Sequence, residues 1–167
     1  GEVLVRLGFA TEEQITAGVA TQWGYPVFTM KNWIPQVDFH IPRVLLELHS
    51  AVPVHYSPTA NRVMIGFVDR IEHAFLYALE VMTSSIAAPC FLTPVEYHHA
   101  VSRLQESDDR EEVVFHRISG VPEMTRIVKS YAMEIDAVEA RFGNCKSYLW
   151  IRLQAARQQM DLLFKLP

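Results

Sequence analysis

Apolar and polar positions follow two different periods along this chain, and the period separates helix from strand. Glu2 to Leu7 is short and apolar and ends at Gly8, a helix stop, because a residue without a Cβ suits the left-handed cap position. Thr11-Glu12-Glu13-Gln14 reads as a capping box, and Ile15 and Val19 share one face of the helix it opens. That helix should end near Gly24, with Pro26 just beyond. Residues 25–41 hold Tyr25-Pro26, Trp33 and Pro35 with little periodicity, and read as an irregular arm with short extended pieces. Pro42 starts a short helix through Leu48, with Val44, Leu45 and Leu48 on its apolar face. Val52 to Tyr56 and Arg62 to Val68 flank the turn-rich Ser57 to Asn61, which predicts a β-hairpin. Asp69 is expected to cap a helix whose buried face is Ile71, Ala74, Phe75, Ala78, Leu79 and Met82. Ser85 to Leu92 reads as a strand, and Thr93-Pro94-Val95-Glu96 as a second capping box opening a helix to about Leu104.

Gln105 to Glu112 has no apolar residue and reads as an acidic linker. Beyond it, Val113 to Ile118 is a strand candidate. Pro122 to Ile135 is a helix with Met124, Ile127, Val128, Tyr131 and Ile135 on one face. Three strand-like runs follow, Val138 to Phe142, Ser147 to Leu153 and Gln158 to Leu166, with turns at Gly143-Asn144 and Gln154 to Arg157. The expected fold is α+β: a helical N-terminal part with a small mixed sheet and packed helices (1–104), a linker (105–112), and a small second α+β unit (113–167). The second unit is about 55 residues, marginal for folding alone, and is expected to pack on the first, on a copy of itself, or on further chain.

Composition narrows the function classes. Of 167 residues, 50% are hydrophobic and 20% charged, so the chain is globular rather than disordered. The net charge is −4 and the Lys and Arg residues are scattered, which leaves no electrostatic footprint for nucleic acid or an anionic membrane surface. Cys90 and Cys145 are too few for a disulfide framework or a Cys-rich zinc site, and read as reduced thiols. No apolar run spans a bilayer, and no signal peptide opens the chain, so a cytoplasmic location is expected. The chain opens on Gly1 rather than Met and reads as an excised fragment.

Candidate chemistry is sparse. The seven Gly residues are isolated from one another, and no Gly-Lys-Ser/Thr run exists to cradle phosphates, so no ATPase motor is expected. There is no Gly-x-Ser-x-Gly elbow. His98 and His99 are adjacent and point about 100° apart on a helix, and no metal-ligand spacing occurs, so no metal site is expected.

The first ~103 residues resemble the N-terminal domain of the type II secretion E-protein and the related type IV pilus assembly ATPases. Gly1, Leu4-Val5, Gly8, Phe9-Ala10, Ile15, Val19 and Gln22 fall in order on that family's spacing. Trp23-Gly24-Tyr25-Pro26 stands where the family has Leu-Gly-Leu-Pro, and Gly66-Phe67-Val68-Asp69 where a strand ends in Ala-Asp-Pro, with Arg70 in place of the Pro. In the tail, Ala137 to Phe142 and Arg152-Leu153-Gln154-Ala155 resemble the framework of the following N2 domain, with its polar signature eroded.

The resemblance implies a bacterial, non-catalytic regulatory or protein-docking module. Its partner would be an inner-membrane secretion or pilus platform protein or the ATPase core, with a homo-oligomer also open. Trp23, Tyr25, Phe28, Trp33 and Ile34 are the candidate docking residues, since aromatics anchor interfaces. The alternative is a sensor for cyclic di-GMP, as in relatives with two tandem copies of the Gly-to-Gln motif, each opening with Arg-Leu-Gly. The residues carried over are Gly1, Leu4, Val5, Gly8, Ile15, Val19, Gln22 and Asp69. One motif is present, and because it begins at Gly1 its opening Arg is missing. An exposed aromatic arm would favour docking, and a groove between the first two helices would favour sensing.

Overall fold

The computed structural model describes residues 1–30, 39–107 and 112–166. They form an α+β fold in two compact units, one of Gly1–Leu76 with Ser85–Asp108 and the other of Tyr77–Ser84 with Asp109–Pro167. In chain order the elements are α1 (Glu2–Arg6), α2 (Glu12–Trp23), α3 (Arg43–His49), β1 (Ala51–Ser57), β2 (Arg62–Phe67), α4 (His73–Thr83), β3 (Ile86–Phe91), α5 (Pro94–Ser107), β4 (Glu112–Phe115), α6 (Val121–Glu134), β5 (Glu139–Cys145), β6 (Tyr148–Gln154) and β7 (Gln159–Lys165).

The first unit is built on a sheet in the order β1-β2-β3, with β1 antiparallel and β3 parallel to β2. The expected hairpin forms, and its turn closes with Asn61 in the left-handed region (φ 46°). Asn61 also ties the turn to the next strand: its carbonyl accepts from Ile86 N–H (2.9 Å) and its Oδ1 from the Ser85 hydroxyl (2.8 Å). On one sheet face Val52, Val54, Cys90 and Leu92 pack with Tyr97 and Ala100 of α5. Val63, Ile65 and Phe67 alternate with them and are fully buried, as the two-residue period of a strand requires.

Three local expectations are corrected. Asp69 does not cap α4: the helix starts at His73, and the Glu72 carbonyl accepts its first bonds, from Phe75 (3.0 Å) and Leu76 (3.1 Å). The chain bends at residues 68–69 after β2, Ile71 is buried ahead of the helix, and Leu76 rather than Ala74 turns inward. The inner face of α3 is Leu45, Leu46 and His49, because His49 stacks on Phe75 (ring centroids 4.0 Å, interplanar angle 8°) and pairs with Glu72 at 2.7 Å. A pattern of apolar letters alone does not register a buried histidine.

The second unit is a four-stranded sheet, β4-β7-β6-β5, parallel between β4 and β7 and antiparallel elsewhere. α6 lays Met124, Ile127, Val128 and Tyr131 on a core of Ile151, Leu153, Met160, Leu162 and Phe164. The β5–β6 turn is at Lys146-Ser147, not at Gly143-Asn144. Gly143 belongs to the strand, paired with Trp150 of β6, and a Cβ there would come within 3.2 Å of Met82 of α4. Arg141 reaches the end of the same helix, donating to the Met82 carbonyl (3.4 Å) and to the Ser84 hydroxyl. A cation placed there complements the helix dipole.

Candidate functional site

The N-terminal helices are set by paired start and stop signals. After α1, Gly8 takes a left-handed conformation (φ 73°), and Phe9 N–H donates to the Leu4 carbonyl (2.9 Å) and Gly8 N–H to the Val5 carbonyl (3.0 Å). These bonds satisfy the last carbonyls of the helix in a Schellman closure. Gly24 (φ 72°) ends α2 in the same way, with Tyr25 N–H on Ala20 (3.1 Å) and Gly24 N–H on Thr21 (3.3 Å). At the front of α2 the capping box is complete: Gln14 N–H donates to Thr11 Oγ1 (3.2 Å) and Thr11 N–H to Gln14 Oε1 (2.9 Å). The two helices abut at Gly1, where a Cβ would meet Ile15 Cγ2 at 2.7 Å.

Between α1, α2, the bend after β2 and the start of α5 lies a groove of about 660 Å³. Of the eight residues carried over from the family pattern, Gly1, Val5, Ile15, Val19 and Asp69 line it. Leu4, Gly8 and Gln22 do not: Leu4 and Gly8 serve the α1 closure, and Gln22 lies exposed on α2.

Arg6, Glu12, Thr16, Val68 and Pro94 complete the lining and were missed by sequence reasoning. The signal for two of them was present. Glu12, Ile15, Thr16 and Val19 sit at i, i+3, i+4 and i+7, one stripe of α2. Arg6 supplies a guanidinium from within the motif, and Asp69, freed from the cap role, supplies a carboxylate. An apolar floor with a few charged groups at its rim is the usual make-up of a small-molecule site.

The aromatic arm is partly laid down. Val27 bridges to Phe91 of β3, Phe28 N–H donates to the Phe91 carbonyl (2.9 Å), and Phe91 N–H donates to Pro26 (2.9 Å). Phe28 packs against the first unit's core, and Tyr25 is half-buried with its ring 6.4 Å from that of His73. Trp23 remains 44% exposed. Trp33 and Ile34 lie outside the described residues.

Among the described residues no group of three His, Cys, Asp or Glu side chains converges on a point, and no helix is long and apolar enough to cross a membrane. Both cysteines are buried, and burial pushes each thiol up to about 12. In the second unit Arg152 is buried in a pair with Asp161.

No protein-family model matches the chain, and no curated protein matches it. Solved structures do. A structure of MshE with cdg is 20% identical with a TM-score of 0.51, covering 62% of this chain and 76% of that one. Two crystal forms of the N-terminal domain of XpsE are 16% and 17% identical, with TM-scores of 0.46 and 0.48, each covering 60% of this chain and 71% of the other. At these identities the likeness is one of fold, and it agrees with the order of residues from Gly1 to Gln22: the chain has the fold of the secretion- and pilus-ATPase N-terminal domains that its sequence resembles.

Proposed function

We propose that this chain is a non-catalytic regulatory module of a secretion- or pilus-ATPase-like protein, and that the α1–α2 groove is a site for a cyclic dinucleotide such as cyclic di-GMP. The observation that carries the reading is the groove itself, with Gly1, Val5, Ile15 and Val19 beside Arg6, Glu12 and Asp69. Val5, Ile15 and Val19 offer an apolar floor to a base. The Arg6 guanidinium suits a phosphate or the face of a guanine. A carboxylate accepts hydrogen bonds only, which matches the paired N–H donors on a guanine edge; Asp69 or Glu12 of the lining would take that role. The fold likeness to MshE, whose structure holds cdg, supports the same ligand class.

The module would act in the cytoplasm, as residues 1–104 and 113–167 joined by the acidic 105–112, on the ATPase core or a membrane platform partner.

Calorimetry with cyclic di-GMP, with cyclic di-AMP as control, tests the ligand. Heat is expected with the guanine ligand alone. Arg6→Ala and Asp69→Asn should each weaken binding about tenfold or more, the worth of one charge-assisted hydrogen bond. No heat from wild-type protein would overturn the ligand reading.

The docking reading keeps one specific support. Val3, Leu7 and Phe9 on and just after α1 are 56%, 60% and 77% exposed, and Trp23 at the end of α2 is 44% exposed.

A further inference from the structure

The geometry points to β5 as a self-pairing edge, through which two copies of this chain join antiparallel about Ala140. Among the described residues β5 is the outer strand of β4-β7-β6-β5. The two-residue turn Lys146-Ser147 makes Cys145 and Tyr148 its closing pair, and a closing pair exchanges both backbone bonds. Alternation from there turns Gly143 and Arg141 toward β6. It turns the N–H and C=O of Ala140 and Phe142 away from the sheet. Ala140 and Phe142 are exposed, and neither Pro nor Lys blunts the strand itself, the usual protections of an edge.

The residue order selects a second copy as the occupant. With the twofold axis at Ala140, the two Ala140 residues exchange N–H and C=O, and each Phe142 N–H meets the partner's Val138 carbonyl. Glu139 then stands opposite the partner's Arg141, a pair that occurs twice, and the pairing ends at Val138, which lies before β5 with its N–H turned inward to the Gln154 carbonyl (2.8 Å). Opposite charges directly across a strand pair attract and like charges repel. Phe142 is 56% exposed, so pairing along this edge covers apolar surface now in water. Glu139 and Arg141 already form an ion pair within one chain (2.7 Å), which pairing would widen into a network of four charges. An axis at Arg141 sets Arg against Arg, and an axis at Phe142 leaves Glu139 and Arg141 with no opposite charge. The register is therefore specified, as a useful edge requires. The contact is short, so association belongs in the micromolar-to-millimolar range.

Sedimentation equilibrium of the whole chain from micromolar to millimolar concentration tests this. A monomer–dimer equilibrium is expected, weakened by salt, with amide exchange of Ala140 and Phe142 slowing as concentration rises. Glu139→Lys places Lys opposite Arg141, and Arg141→Glu places Glu opposite Glu139, so each alone should be monomeric. An equal mixture should form the heterodimer, whose two crossed pairs are again opposite in sign. Ala140→Pro removes one outward N–H without touching the bonds to β6, and should also lose the dimer. Should Arg141→Glu unfold through its loss at the end of α4, Glu139→Lys and Ala140→Pro carry the test with circular dichroism as the folding check. A wild-type chain monomeric at millimolar concentration overturns the proposal. So does a folded Glu139→Lys or Ala140→Pro variant that associates as well as wild type.

Discussion

Arg152 and Asp161 face each other across β6 and β7 in a buried two-bond ion pair, with Nε to Oδ1 and Nη2 to Oδ2 both 2.8 Å. Trp150 Nε1 donates to the same Oδ1 at 2.8 Å, and the guanidinium lies 4.8 Å from the Trp150 ring centroid. Both side chains are almost fully out of water, so breaking the pair strands a charge rather than returning it to solvent. Asp161→Ala is expected to destabilise the protein by about 3–5 kcal/mol in urea unfolding. Replacing both partners by leucine should recover most of that. The remainder, about 1–3 kcal/mol, reflects the Trp150 N–H left without an acceptor. A loss below about 1 kcal/mol for Asp161→Ala would show that water reaches the pair.

Gly66 occupies the middle strand of the first sheet, where a Cβ would lie 2.5 Å from Leu92 Cδ1 and 3.2 Å from Val54 Cγ1. Leu92 and Val54 are both fully buried and have little room to shift. Gly66→Ala should therefore cost about 1–3 kcal/mol as overpacking, despite the gain a glycine-to-alanine change brings elsewhere. Thermal unfolding is the measurement, and Gly18→Ala is the control, since nothing lies near a Cβ at Gly18. In the α2 helix that control should stabilise by about 0.5–1 kcal/mol.

Local signals carried the fold a long way. Both capping boxes, both glycine stops and the hairpin turn were legible because each rests on a few adjacent residues whose hydrogen bonds close on themselves. What failed depended on contacts distant in sequence. Gly143 reads as a turn until Met82 is placed beside it. Asp69 reads as a cap until Ile71 is seen to be buried first. The groove was half legible for the same reason. Gly1, Val5, Ile15 and Val19 follow from the family resemblance, whereas Val68 and Pro94 come from just after β2 and from the start of α5, and no pattern within the first 24 residues contains them.

The two buried thiols contribute to the alkaline limb of stability, beside Tyr97, whose hydroxyl is also pushed up by burial. Burial raises Cys90 and Cys145 from the ordinary 9.0 to about 12, so the folded chain keeps them neutral where an unfolded chain ionises. Their contribution is fully present below pH 9 and is lost as pH rises toward about 12. A plot of unfolding free energy against pH should fall above pH 9, and the Cys90→Ala/Cys145→Ala variant should fall less steeply. An aromatic disulfide reagent should modify neither thiol faster than the protein unfolds, and prompt reaction of native protein would contradict the burial.

Glu96 joins two elements that the sequence places far apart. Its Oε2 accepts from the Thr93 N–H (3.1 Å) and hydroxyl (3.0 Å), completing the cap of α5. Its Oε1 accepts from the N–H of Met30, a buried residue of the segment that follows α2 (3.0 Å). Thr93→Ala removes the cap hydroxyl and should cost about 1 kcal/mol, with the Met30 bond retained. Glu96→Ala removes the cap and also leaves the Met30 amide without its acceptor, which adds about 1–3 kcal/mol. The two variants separate in amide exchange: protection at Met30 should persist in Thr93→Ala and fall sharply in Glu96→Ala. Equal protection in both would mean that the Glu96 carboxylate does not hold this segment, and that the bridge of Val27 to Phe91 does so alone.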